Sequence, residues 1–144
     1  MKKILLLLLF AAIIAAGVGF YLWNKPHRTA EDEKPFVTLT AGALLNEFAT
    51  NENATTEKYR DKVIQISGEL IKAEADSSGN IQVVLEAGDE MSTVSITLMN
   101  GATAPSETKG TMIDVKGICN GFMSNDLLGS EVLLNQGVVV NQTK

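Results

Sequence analysis

From residue 63 to residue 141 the apolar residues alternate with polar ones in five separate segments, and no segment of helical period lies between them. This pattern constrains the fold more than any other feature of the chain. Parallel strands of one sheet need long crossover connections, usually helical, so consecutive strands joined by polar turns exclude a parallel α/β sheet. Residues 63–75 carry Val63, Ile64, Ile66 and Leu70 and end in the turn cluster Asp76-Ser77-Ser78-Gly79-Asn80. Residues 81–87 place Ile81, Val83 and Leu85 on one face, and Gly88-Asp89-Glu90 turns again. In the third segment Val94, Ile96 and Leu98 alternate with Ser95 and Thr97, which read as exposed polar positions. A polar loop over 100–110 contains Pro105. Residues 112–119 then set Ile113 and Val115 opposite Asp114 and Lys116. Residues 124–130 read as a loop, and residues 131–141 as a fifth strand interrupted by Gly137.

Gly68 and Gly117 take equivalent places in two of these strands, within Ile66-Ser67-Gly68-Glu69 and Val115-Lys116-Gly117-Ile118. A glycine inside a strand marks a bulge or a sharp bend. Strands that bend in this way suit a small closed barrel, and five of them give the OB-fold pattern. An open two-layer α+β sheet is the alternative. Ahead of the strands, Ala41, Leu44, Leu45 and Phe48 fall on one helical face, with Thr40 as N-cap and Asn51 capping a second short helix over Glu52–Tyr59. The helix packs on the domain's own sheet or serves as a partner-binding element. The fold class expected is mainly β: a five-stranded OB-fold-like barrel preceded by an N-terminal helix, plus one N-terminal transmembrane helix.

The transmembrane expectation rests on residues 4–23, an apolar run of 20 residues broken only by Gly17 and Gly19. A bilayer core of ~30 Å needs about 20 helical residues, whereas a signal-peptide core spans roughly 7–15. Ile4, Leu9 and Ile14 lie within the span, and Tyr21 and Trp23 sit where an aromatic interface belt would be. An uncleaved anchor over 1–23 is the preferred reading, and cleavage after Gly17 or Gly19 is the competing one. No cysteine lies near the leader, so lipid attachment there is excluded; the single cysteine is Cys119. The short basic N-tail, Lys2-Lys3, places the N-terminus in the cytoplasm and the domain outside, although Lys25, Arg28 and Lys34 weaken that asymmetry. The expected location is a bacterial cell membrane, crossed once, with an extracytoplasmic domain; a cleaved leader would make the domain periplasmic or secreted.

Residues 24–35, with Pro26, Pro35 and balanced charges, read as a charged, solvated linker that also holds the one histidine, His27. Residues 36–144 form one domain. That domain carries seven basic and fourteen acidic residues, a net −7 that the basic leader partly hides in the whole-chain value of −5.

The stretch Asn51-Glu52-Asn53-Ala54, then Lys58-Tyr59, Lys62-Val63-Ile64 and Ser67-Gly68, resembles the opening of the tRNA-anticodon-binding-like OB-fold family. The stretch Val115-Lys116-Gly117-Ile118-Cys119-Asn120-Gly121, then Val132-Leu133-Leu134-Asn135, is similar to its second half. Together they span roughly residues 40 to 140. The resemblance implies a barrel behind an N-terminal helix in small, membrane-anchored or secreted bacterial proteins, and it implies no reaction. The resemblance implies that some members carry a second cysteine near the position of Gly137; here it is missing, so no disulfide carries over.

An acidic domain lacks the attraction to phosphate that supplies most non-specific nucleic-acid affinity. The four aromatics of the domain, Phe36, Phe48, Tyr59 and Phe122, are also few for a single-strand binder. No histidine stands near Cys119 to act as a base, which favours a buried structural thiol. Glu86, Asp89 and Glu90 read as a solvated turn rather than a calcium site, and no cofactor or metal is expected. Phe122, Met123, Leu127 and Leu128 fall in the expected loop before the fifth strand, where they either plug the barrel end or contact a partner. The function expected is a membrane-tethered binding module without catalytic activity, held to the membrane through residues 4–23, with a protein or small-ligand partner. The alternatives are a cytoplasmic-facing accessory subunit of a membrane complex and, behind it, a nucleic-acid-binding OB domain.

Overall fold

The computed structural model describes residues 14–21, 23, 30–88, 91–105, 109–125 and 129–143. Strand β1 (Val37–Thr40) leads into helix α1 (Ala41–Thr50), and helix α2 (Glu52–Tyr59) follows directly. Then come β2 (Val63–Ala75), β3 (Ile81–Glu86), β4 (Ser92–Leu98), β5 (Met112–Asn125) and β6 (Gly129–Thr143). Both helices start where the sequence places them. The Thr40 hydroxyl accepts from the Ala43 amide at 3.2 Å, and the Asn51 side chain accepts from the Ala54 amide at 3.1 Å, each satisfying a donor that has no partner within its helix.

The sheet runs β1-β2-β3-β4-β6-β5, and β5 also pairs with β2, so β2 to β6 close into a five-stranded barrel with β1 as an extra strand. Only the β1–β2 and β4–β6 pairings are parallel. Strand β2 makes closure possible by sharing its edges. Val63 to Glu69 pair with β5 on one side. On the other, β1 covers Ile64 to Ser67 and β3 takes over from Leu70. The two-layer α+β alternative is thereby excluded.

The two glycines named from sequence sit at opposite ends of one ladder, Ile64 opposite Gly117 and Gly68 opposite Ile113. Both face the interior. A Cβ at Gly68 would lie 3.1 Å from Leu85 Cβ and 3.2 Å from Ala41 Cβ, and one at Gly117 would lie 3.0 Å from Leu134 Cβ. They allow facing layers to approach as well as strands to bend. Val83, Leu85, Val94, Ile96, Ile113, Val115, Val132 and Leu134 fill the barrel, and Ala41, Leu44 and Phe48 of α1 close one end. The helix is therefore a lid on its own barrel.

Strand β1 has no counterpart in the sequence reading, because Val37 and Leu39 are only half-buried and four residues carry little periodicity. Strand β5 also runs six residues beyond its expected end, to Asn125. Pairings from Cys119–Leu134 to Asn125–Gly129 form a hairpin arm with β6. Phe122 and Met123 are thus strand residues, not loop residues. Polar Ser124, Asn125 and Ser130 masked the strand in the sequence, yet each takes part in the ladder.

Candidate functional site

The outer face of β3, β4, β6 and β5 is the surface through which OB-type barrels commonly bind ligands. Register fixes its composition. Glu86 lies beside Thr93, Thr93 beside Glu131 and Glu131 beside Met123, one row across four strands. The next row is Val84, Ser95, Leu133 and Gly121. Gln82 and Thr97 follow on β3 and β4. Alternation turns these residues outward, since Val83, Leu85, Val94, Ile96, Val132 and Leu134 are in the core.

Ser95 departs from expectation. It is only 3% exposed, because its small side chain sits on a central strand between Val84 and Leu133. Its hydroxyl donates to the Glu131 carboxylate. These rows therefore present two carboxylates, small hydroxyls, an amide, Val84, Leu133 and the exposed Met123, while the outward lysine of β5, Lys116, lies further along the strand.

The aromatics are at the helical end of the barrel. Phe36 meets Tyr59 edge-on with centroids 6.4 Å apart. Tyr59 lies 6.5 Å from Phe48, and Phe48 stacks on Phe122 at 5.1 Å with ring planes 13° apart. All four aromatics of the domain thus join one chain of ring contacts, from Phe36, which is 59% exposed, to Phe122, which is half-buried against the core.

Several cations are similarly engaged. The Lys58 ammonium donates to Glu47 Oε2 at 2.8 Å, and the Tyr59 hydroxyl donates to the same oxygen at 2.9 Å. The Thr55 hydroxyl donates to the Glu47 carbonyl at 2.9 Å, so one residue of α1 ties down the whole of α2. The hydrogen bond from Lys58 holds the Glu47 carboxyl below its ordinary value of 4.5, against the opposing effect of burial. Burial raises the Tyr59 phenol, which stays protonated to donate. A carboxyl depressed in the folded state stabilises it above the unfolded pKa and loses that contribution as pH falls through the folded one. Melting temperature should therefore drop as pH falls below about 4.5, and in Glu47→Gln that segment of the profile should flatten. Thermal melts of both proteins between pH 3 and 7 provide the check. Lys72 pairs with Glu74 at 3.2 Å.

Lys116 does something the sequence did not signal. Its ammonium donates to the carbonyls of Glu31, at 2.9 Å, and Glu33, at 3.1 Å. Ala30 is fully buried. The last part of the linker, expected to be solvated, is strapped to the outside of β5. Backbone carbonyls give no residue-type signal, so only the folded chain shows this contact. Hydrogen bonds to a charged group contribute about 1.5–3 kcal/mol. Lys116→Met should therefore raise cleavage by a glutamate-specific protease after Glu33 by roughly tenfold, the lower end of that range, with little change in global unfolding. Limited proteolysis beside a denaturant melt separates the two.

Cys119 is buried, and desolvation pushes its thiol up to about 11. It is protonated at neutral pH, and a thiol rather than a thiolate is a poor nucleophile. Among the described residues no group of three His, Cys, Asp or Glu could hold a metal ion. Asp89 and Glu90, and with them the turn weighed for calcium, lie outside the described residues, as do Leu127 and Leu128 of the expected loop and His27 of the linker.

Of the membrane-anchor residues, Ile4 and Leu9 lie outside the described residues. Ile14, Tyr21 and Trp23 are on helical backbone within 14–23 and are exposed, Trp23 by 93%. Among the described residues no helix is long and apolar enough to cross a membrane.

The barrel topology and the two halves of the sequence pattern point to one family. Residues 1–138 match the tRNA_anti-like family. The chain belongs to the tRNA_anti-like family. A crystal structure of a candidate nucleic acid-binding lipoprotein from Klebsiella pneumoniae is similar in fold, with a TM-score of 0.54, 13% identity and coverage of 72% of this chain and 91% of that one. A candidate aspartyl-tRNA synthetase from Leishmania major aligns at a TM-score of 0.45 and 13% identity, over 92% of this chain and 27% of that one. No curated protein matches the chain.

Proposed function

We propose that this tRNA_anti-like chain is a membrane-tethered interaction module of the bacterial cell envelope, with its barrel outside the cytoplasm and without catalytic activity. Its acidic sheet face contacts a protein or small-ligand partner. The observation that carries this reading is the composition of that face. Glu86 and Glu131 flank Thr93 across three strands, and no aromatic side chain stands in that row, the four rings of the domain contacting one another around α1 and α2. Single-strand binders rely on base stacking worth about 1–3 kcal/mol per base and on a cationic groove. A domain of net −7 repels phosphate instead. The apolar run over 4–23 and the exposed apolar helical residues before the barrel support the tether.

A nucleic-acid reading is favoured by the name of the Klebsiella lipoprotein, at an identity that speaks for the fold alone. Titration of labelled single-stranded DNA and RNA oligonucleotides at low salt decides between them. Non-specific binders reach dissociation constants of about 10⁻⁴–10⁻⁶ M; here no saturable binding is expected in that range. Saturable binding that weakens with salt would reject the reading. For the location, protease added to spheroplasts should remove a C-terminal tag, and protection of the tag until lysis would favour the cytoplasmic-facing alternative.

A further inference from the structure

Beyond Gly137, strand β6 loses its neighbour on one side. Strand β4 pairs with β6 only as far as Leu98–Gly137, and the Gly137 carbonyl accepts from the Met99 amide at 2.9 Å. The chain then turns away, with the Ala102 amide donating back to the Met99 carbonyl at 3.0 Å and Gly101 at a φ of 86°. That turn satisfies itself and offers β6 no partner. On its other edge β6 continues to pair with β5 up to Thr143. Among the described residues, Val138 to Val140 have no strand partner on this edge. Between that edge and residues 99–103 lies a cleft of about 540 Å³. Val139 packs toward the core, and Val140, the extra residue where the β5–β6 register shifts, is 48% exposed. The one charged residue lining the cleft is Glu31, on the strapped end of the linker.

We infer that this cleft takes an extended, basic segment of a partner protein by strand addition. Main-chain bonds to an open edge supply affinity, and alternate side chains supply selectivity. Here an apolar side chain would rest on Val140 and a lysine or arginine would meet Glu31. Charge selects this occupant over a second copy, because edge-to-edge pairing of two chains would bring together two domains of net −7. The cleft lies past the far end of β4 from the Glu86–Glu131 row, so this inference stands or falls separately from the sheet-face reading.

The full chain in detergent micelles is mixed with three synthetic octapeptides: alternating Lys-Val, alternating Glu-Val, and the Lys-Val peptide N-methylated at every residue. Amide hydrogen exchange is then followed across β6. At ten times its dissociation constant, the Lys-Val peptide should slow exchange at Val138–Val140 about tenfold. Glu31→Gln should weaken that peptide by up to about fivefold and leave the rest of the exchange profile unchanged. The N-methylated peptide, which cannot complete a ladder, should give no protection. Equal protection by the Glu-Val or the N-methylated peptide would overturn the proposal, as would no protection by any of them. Protection that rises with protein concentration alone would assign the edge to a second copy and also overturn it.

Discussion

Replacing Phe48 by alanine is expected to cost the fold about 3–5 kcal/mol, a large share of the 5–15 kcal/mol that typically separates folded from unfolded domains. Phe48 is 1% exposed. It stands between Tyr59 and the Phe122 ring stacked on it, so one ring holds α1, α2 and the β5 arm together at the barrel end. Truncation leaves a cavity bounded by three elements that cannot all close on it. Urea unfolding should show a markedly lower midpoint in Phe48→Ala with a similar slope. Leu45→Ala, on the half-buried flank of the same helix, should shift it less. Equal effects would mean that the aromatic chain is not what fixes the lid.

Gly137→Val is expected to destabilise by about 1–3 kcal/mol, the usual cost of overpacking. Strand β6 bends here: Gln136 adopts a φ of 52°, and the β4–β6 register shifts just before Gly137. A Cβ at this position would collide with the Cγ2 of Ile96 and lie 3.1 Å from Leu98 Cδ2 and 3.3 Å from the Thr97 carbonyl. Ile96 is β-branched and buried, so it has little freedom to move. Gly121 is the control, since a Cβ there meets nothing within 4 Å and its φ is not positive. Gly121→Ala should be close to neutral, or stabilise slightly by restricting the unfolded chain. Thermal unfolding of the two variants should separate them clearly.

The barrel was legible in the sequence because its strands bury one face at a time. The alternation of Val94, Ile96 and Leu98, and the glycines at 68 and 117, follow directly from a pleat and a closed curve. The helical lid was legible for the same reason, through Ala41, Leu44 and Phe48 and two side-chain caps. What escaped has a common physical basis: contacts that no local period encodes. Strand β1 pairs in parallel over only four residues, too few to show a period. Lys116 reaches carbonyls 83 and 85 residues away. Ser95 is buried by cross-strand neighbours, not by its own hydropathy. The expected interaction loop shows the limit best. Phe122 and Met123 are adjacent in sequence, yet strand alternation sends one into the aromatic lid and the other to solvent. Only Met123 joins Glu131 on the candidate face. The acidity of the domain was visible in composition, but its meaning depended on register, which sets Glu86 and Glu131 on the face where a nucleic-acid binder would need cations.

A photo-reactive amino acid in place of Met123, activated by light in living cells, tests the central claim most directly. Met123 is 56% exposed and ends the row that begins at Glu86. The account predicts discrete light-dependent adducts that survive nuclease treatment and fractionate with the membrane. Adducts that collapse on nuclease treatment would contradict it.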